Sequence, residues 1–476
     1  MSDHTADDDL LRDGPGLRVA PYVSPVGARP EGPVTTLEPD PVVEGPRGIR
    51  LAGPNLVGSA VMLVASLGSG ILTARLLGPQ GRGLVSSATT LLLVVSTLGL
   101  LGLRDATIFV QARHRHPAGD ILGTAVPLAV LLSVPVTAVA AGVGYGIFHG
   151  QGHHAQMVAL LAAAFCPVIM VQQVATAMVA GRQHYRLLAV LLAGPAVAYT
   201  TTVVALRLAG VVSTGHVVAA FGCAYVPFLL LSLVALVRGG GVDRLRRPLA
   251  GELLRYGLRS QGGAMSSVAT TGLDLTIMPL FVAVAAIGRY SVAVSVASMI
   301  SVLFGALGSV VLSAAAARDS LDIVVRATRS VLAAASVAAL GLAATAWFLI
   351  RLVYGSAYDE SYVLMLLLLP GIVAWSANYS VIAGLQSIGR PGRASVAQAY
   401  GVAVTIVGLA VLLPTIGAAG ASITSTLAYI TALVFSARQL RLASGVHLWA
   451  GVFDRRALVS DVQRMIVSVR AERERR

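Results

Sequence analysis

Between residue 51 and about residue 442, charged residues are largely confined to short breaks, and the apolar runs between them are about 20 residues long. A run of that length crosses the hydrocarbon of a bilayer as a helix, and inside lipid a backbone must satisfy its own hydrogen bonds. The runs show no period-two alternation, so helices are expected and not a barrel. Twelve spans are predicted, over 54–74, 84–110, 121–148, 157–180, 187–209, 217–238, 262–285, 289–316, 328–353, 361–385, 395–415 and 417–437. Composition agrees. With 56% hydrophobic and 12% charged residues and a mean hydropathy of +0.78, the chain is far from an ordinary soluble domain.

The spans fall into two similar sets. Gly83-Leu-Val-Ser86-Ser-Ala88 matches Gly288-Arg-Tyr-Ser291-Val-Ala293, and Val179-Ala180-Gly181-Arg-Gln183 is echoed by Ile382-Ala383-Gly384-Leu-Gln386. The paired glycines are 205 residues apart (83 to 288) and 203 apart (181 to 384). Two matches in the same order at nearly one offset imply a parallel repeat, six spans plus six, as in secondary transporters built from repeats.

All 35 basic residues are Arg, and the net charge is +13. Their distribution argues against nucleic acid. Arg clusters in alternate loops (Arg113 and Arg115; Arg182 and Arg186; Arg244, Arg246, Arg247 and Arg255; Arg318, Arg326 and Arg329; Arg390 and Arg393), whereas the opposite loops hold Arg75, Arg82, Arg207, Arg289 and Arg351. By the positive-inside rule both termini are expected in the cytoplasm, with the chain multi-pass in the cytoplasmic membrane. Residues 1–50 carry nine acidic residues and are expected to be a disordered cytoplasmic tail, without the pattern of a signal peptide. The halves are expected at 51–239 and 262–442. A basic amphipathic linker (240–261) is expected along the membrane surface, and a similar tail at 443–476.

The order of motifs resembles the polysaccharide flippases of the multidrug/oligosaccharidyl-lipid/polysaccharide exporter superfamily. The second half opens with Leu254-Arg-Tyr-Gly-Leu258, Asp274-Leu-Thr-Ile-Met-Pro-Leu280 and Gly288-Arg-Tyr-Ser-Val-Ala293, and the first half carries Ala74-Arg-Leu-Leu-Gly78-Pro-Gln-Gly81-Arg-Gly83. Leu352-Val-Tyr-Gly355, Gly384-Leu-Gln-Ser-Ile-Gly389-Arg390 and Pro414-Thr-Ile-Gly417-Ala-Ala-Gly420-Ala421-Ser extend the likeness. The resemblance implies an all-α membrane protein of two six-helix bundles forming a V around a central cavity. It also implies flipping or export of a polyprenyl-diphosphate-linked oligosaccharide by alternating access. Membrane lipid, a coupling H+ or Na+, and proteins of polysaccharide assembly are the implied partners. The acidic tail is foreign to that pattern, and the two extra helices usual in lipid II flippases are absent.

Candidate site residues are the polar groups that fall inside spans. Asp274 lies about 18 Å into the seventh span at 1.5 Å per residue, near the midplane, where a carboxylate must meet water, a cation or a proton. It reads either as a coupling-ion or cavity acid or as an interhelical pair that fixes the bundle. Arg104 offers a planar donor set to a diphosphate, or else snorkels to the interface and neutralises Asp105. Asn55 shares a face with Ser59, Ser66 and Ser69. Gln172 and Gln173, the Ser291, Ser295 and Ser298 set, and Asn378 and Tyr379 after Trp375 are suited to sugar hydroxyls, or to helix packing. Pro127, Pro135, Pro167, Pro195, Pro227, Pro279 and Pro370 are expected to kink spans.

No metal, cofactor or enzymatic chemistry is expected. Cys166 and Cys223 read as apolar fillers, and Gly150 and Gly152 argue against a helix that would pair His149 with His153. No Gly-x-x-x-x-Gly-Lys loop is present to use ATP, so an ion gradient or the membrane potential is expected to drive transport. The alternatives are a peptidoglycan lipid II flippase and a cation-coupled multidrug antiporter of the same superfamily, the latter disfavoured by a 5% aromatic content and few carboxylates in the spans.

Overall fold

A computed structural model describes residues 46–112, 116–318 and 321–452. The tail up to residue 45, Arg113 and Arg115, and the amphipathic stretch after residue 452 lie outside the described residues. Within them the chain forms helices, turns and no strand. The first half holds α1 (Pro46–Gly99), α2 (Leu103–Ala112), α3 (Ala118–Ile147), α4 (His153–Ala163), α5 (Cys166–Gly181), α6 (Tyr185–Leu208), α7 (Thr214–Cys223) and α8 (Val226–Arg238). The second holds α9 (Arg247–Ile277), α10 (Val284–Arg318), α11 (Asp322–Val353), α12 (Glu360–Ser387), α13 (Pro391–Ser444) and the short α14 (Leu448–Val452).

Nine stretches among the described residues are long and apolar enough to cross a membrane. Two of them, Ala60–Gly99 and Gly392–Ser444, are double passes, and α9 adds another, giving twelve. The double passes turn at Gly78 (φ 64°) and Gly417 (φ 60°), in the left-handed region that costs an L-residue about 1–2 kcal/mol and glycine little. Across the first turn Arg82 Nη1 donates to Thr73 Oγ1 at 2.9 Å, and across the second Gly408 lies against Thr424 and Gly401 against Ala428. The face carrying Pro46 and Val452 is the tail face; Gly78 and Gly417 mark the opposite, turn face.

Two spans are broken by proline. Pro167 and Pro227 sit at the first turns of α5 and α8, where a missing N–H costs no helical bond, so each divides its span into two abutting helices. Pro127, Pro135, Pro195 and Pro370 lie inside helices, and Pro279 falls in the short 3-10 turn after α9. Lipid provides no drive to bury apolar surface between helices, so close packing of small residues must hold them. Ala88, Ala106, Ala125, Ala129, Ala293 and Ala377 accordingly sit fully enclosed at helix contacts.

The linker departs from expectation. Its helical part is continuous with the seventh span in α9, and Leu249 and Leu253 are buried in the first half's core. Arg246 bonds the enclosed Asp120 at 2.8 Å, His116 meets Glu252 at 3.2 Å, and Tyr256 stacks on Phe109 at 4.2 Å. Gln261 Nε2 donates at 3.0 Å to the Leu98 carbonyl, beside the break between α1 and α2. The apolar face expected on the membrane surface is thus turned largely onto protein, although Leu258 stays exposed.

Candidate functional site: a cationic central cavity

Both halves wall a cavity of about 840 Å³. The first half supplies Ser66 and Ser69 before the Gly78 turn and Arg82, Ser86, Thr89 and Thr97 after it. The spacing 82, 86, 89, 93, 97 keeps one face of a helix toward the cavity. Gln172, Gln173 and Thr176 of α5 and Tyr199 of α6 continue the wall, and Leu275, Ser291, Ser295 and Ser298 close it from the second half.

Among the lining residues the formal charges are Arg82 and Arg104, both cationic, and no carboxylate joins them. They are 22 residues apart; Arg82 follows the Gly78 turn and marks the turn-face end, and Arg104, beyond the break between α1 and α2, marks the tail-face end. Arg104 is exposed. Arg82 donates through Nη1 to Thr73, yet its Nε is buried without a hydrogen-bond partner. A buried orphan donor costs about 1–3 kcal/mol, more when charged, and an anionic oxygen would satisfy it.

The rest of the wall is neutral and hydroxyl-rich. Ser291, Ser295 and Ser298 donate to carbonyls of their own helix at 2.7–3.1 Å, which leaves oxygen lone pairs free to accept. Ser86 Oγ is buried with no partner. Gln172 is engaged by Thr176 at 3.3 Å and Ser232 at 3.4 Å, whereas half-buried Gln173 meets Thr97 at 3.5 Å.

The turn-face end is sealed where the halves cross. A Cβ on Gly83 would collide with the Val284 carbonyl, and one on Gly288 with the Pro79 carbonyl. The repeated glycines of the sequence are therefore the paired close approach of the two halves. Around it, Arg75 donates to the Val353 and Leu352 carbonyls at 2.6 and 2.5 Å, capping the C-terminus of α11. Tyr358 donates to the Ala74 carbonyl at 3.0 Å, and Gln151 to those of Pro279 and Val282 at 2.8 and 3.0 Å. Burial pushes the Tyr358 hydroxyl up to about 12, against the pull of nearby Arg82, so it keeps its proton to donate.

The other expected site residues fall in several places. Asp274 is buried one layer behind the wall: Tyr290 Oη donates to its Oδ2, Ser425 Oγ to the same oxygen at 3.3 Å, and the Leu275 amide to Oδ1 at 2.7 Å. Its chain neighbour Leu275 and the neighbour of Tyr290, Ser291, line the cavity. Asn378 is enclosed in α12 with neither amide atom bonded, and Tyr379 accepts from Trp375 Nε1 at 3.1 Å; neither lines the cavity. Asp105 sits in the first turn of α2, where a carboxylate complements the helix dipole. Asn55 lies in α1, but its side chain is outside the described residues. Arg82 was missing from the expected set because it reads as a loop residue; its signal was the polar stripe that continues from it down the second span.

Two six-span halves related by a parallel repeat, sealed together at one end of a central cavity, define a multi-pass membrane protein with the fold of MOP-superfamily transporters. The chain belongs to the family described as polysaccharide biosynthesis protein, which it matches over residues 72–363, more than half its length. Among solved structures, the lipid II flippase MurJ in an inward closed conformation is similar at a TM-score of 0.71, with 11% identity over 88% of this chain and 92% of that one. An inward-facing multidrug resistance MATE family transporter gives 0.65, with 16% identity over 86% and 99%. A MOP superfamily transporter from Pyrococcus furiosus gives 0.59, with 16% identity over 83% and 94%. No curated protein matches the sequence.

Proposed function

We propose that the protein flips a polyprenyl-diphosphate-linked oligosaccharide across the cytoplasmic membrane by alternating access. The observation that carries this reading is a cavity whose lining charges, among the described residues, are both cationic, with an orphan guanidinium N–H of Arg82 at its closed end. Arg presents paired donors matched to phosphate oxygens. In this reading both termini are cytoplasmic, as the Arg asymmetry implies, and the turn face is the outer one. The diphosphate enters past Arg104 and advances to Arg82, while the hydroxyl and amide walls hold sugar. Asp274, tied to α10 and α13 directly behind the wall, is the candidate carboxylate for an H+ or Na+ that drives the cycle. A multidrug antiporter for organic cations fits less well, since cations would meet Arg82 and Arg104 without a lining carboxylate.

The test is transbilayer movement of a fluorescent polyprenyl-diphosphate oligosaccharide in proteoliposomes. Wild type is expected to move it, and Arg82→Gln to slow it at least tenfold, the loss of one charge-assisted contact worth about 1.4 kcal/mol or more. Movement at the wild-type rate in Arg82→Gln, or efflux of an organic cation with no lipid movement, would overturn the proposal.

A further inference from the structure

A second pocket, of about 470 Å³, lies on the turn face directly across the seal from the central cavity. Its polar groups are Gln80, Gln151, His154 and Thr214, set over Leu77 and Leu84 of the first half; the second half contributes Ala283, Val284 and Ala285. The volume is within the usual range for small-molecule sites, about 300–1,000 Å³.

We propose that this pocket binds a neutral oligosaccharide and that a sugar held there keeps the outer seal closed. The inference rests on the flippase reading for the kind of molecule met at this face. The Gln80 amide, the His154 imidazole and the Thr214 hydroxyl supply both donors and acceptors, as a polyol requires. Gln151, whose Nε2 is spent on the Pro279 and Val282 carbonyls, adds its Oε1 as an acceptor, and Leu77 and Leu84 offer apolar surface to the C–H face of a sugar ring. Among the described residues no Arg, Asp or Glu lines the pocket, in contrast to the cavity below with Arg82 and Arg104. The diphosphate end of a cargo therefore has its partners inside and the bare glycan has them outside. The pocket also straddles the crossing: Val284, whose carbonyl abuts Gly83, is part of its wall. Parting the halves removes Ala283–Ala285 from Gln80 and dismantles the site. A ligand that binds only the closed form shifts the equilibrium toward it, so glycan accumulating outside slows further flipping.

The experiment uses the full chain in nanodiscs, titrated with maltose, cellobiose, lactose and N,N′-diacetylchitobiose and followed by saturation-transfer NMR. Right-side-out proteoliposomes then report flipping with the same sugars present only outside. At least one sugar is expected to bind and to slow flipping fivefold or more at saturation. The double variant Gln80→Ala/Thr214→Ala is expected to lose both effects while flipping at the wild-type rate without sugar. His154→Ala, at an exposed position, repeats the test should the double variant fold poorly. Absence of binding by all four sugars, or binding that survives in these variants, overturns the site. Binding that leaves the flipping rate unchanged overturns the coupling to the seal, and tighter binding of a disaccharide phosphate overturns the neutral ligand class. Sugar binding that depends on Gln80 and His154 in a protein that flips no lipid would support the pocket and sink the flippase reading.

Discussion

Arg82 shows why a charge count along the sequence differs from a charge map of the cavity. Four residues past the Gly78 turn it looks like a loop residue, but the turn is so tight that the side chain folds back onto Thr73 and into the cavity. Asp274 shows the converse. The need of an enclosed carboxylate for a partner was legible; that Asp274 sits three residues before the end of α9, toward the turn face and not at mid-span, and that its partners are Tyr290 and Ser425, depends on how α9, α10 and α13 meet. Asp274→Asn keeps an acceptor for the Leu275 amide and a group able to donate to both hydroxyls. The variant is therefore expected to fold with a thermal midpoint within a few degrees of wild type. If Asp274 carries the coupling ion, flipping by the variant becomes indifferent to an imposed H+ or Na+ gradient. Undiminished gradient dependence would restrict Asp274 to a structural role.

Among the elements, the crossing of α1 and α10 and the docking of α9 matter most. Alanine at Gly83 or Gly288 places a methyl against main chain that cannot yield as a flexible side chain would. Overpacking of this kind costs about 1–3 kcal/mol, and because the clash exists only while the turn face is closed, it favours opening there. A cysteine at Ser86, with Cys166 and Cys223 replaced, is expected to react faster with a membrane-impermeant thiol reagent from outside in Gly83→Ala than in the Gly83 background. An equal rate would mean that the crossing does not gate the cavity. The start of α9 makes a separate case. Leu253 is completely enclosed in the first half, so Leu253→Ala should cost about 2–5 kcal/mol, seen as a lower thermal midpoint in detergent. An amphipathic pattern alone cannot distinguish a helix lying on lipid from one lying on protein, because both offer an apolar surface.

Across the whole molecule, the turn face is held by bonds that run from one half to main-chain carbonyls of the other: Arg75 to Val353 and Leu352, Tyr358 to Ala74, Gln151 to Pro279 and Val282. These carbonyls cannot titrate, and Tyr358 stays protonated well above neutrality, so the clasp should be insensitive to pH between 5 and 9. Arg75 is exposed, and its loss in Arg75→Ala is worth about 1 kcal/mol, roughly a fivefold shift toward the outward-open state. Paired spin labels across the turn face would register that shift as a larger population at long distance. An unchanged distance distribution would mean that the Arg75 contacts add nothing to closure of the turn face.

The sequence by itself determined the membrane, the helices, the twelve passes and the duplication, because span length, hydropathy and glycine placement are local properties of the chain. It also marked Gly83 and Gly288 as a pair without showing that each packs on the other half. Only the tertiary structure decided which polar residues share a cavity. Gln172, Gln173 and Arg104 line it, Asp274 stands behind it, and Asn378 is enclosed and Tyr379 half-buried elsewhere. A helix presents polar groups on several faces, and which face becomes the cavity wall is fixed by the rotation of each helix against neighbours far away in sequence.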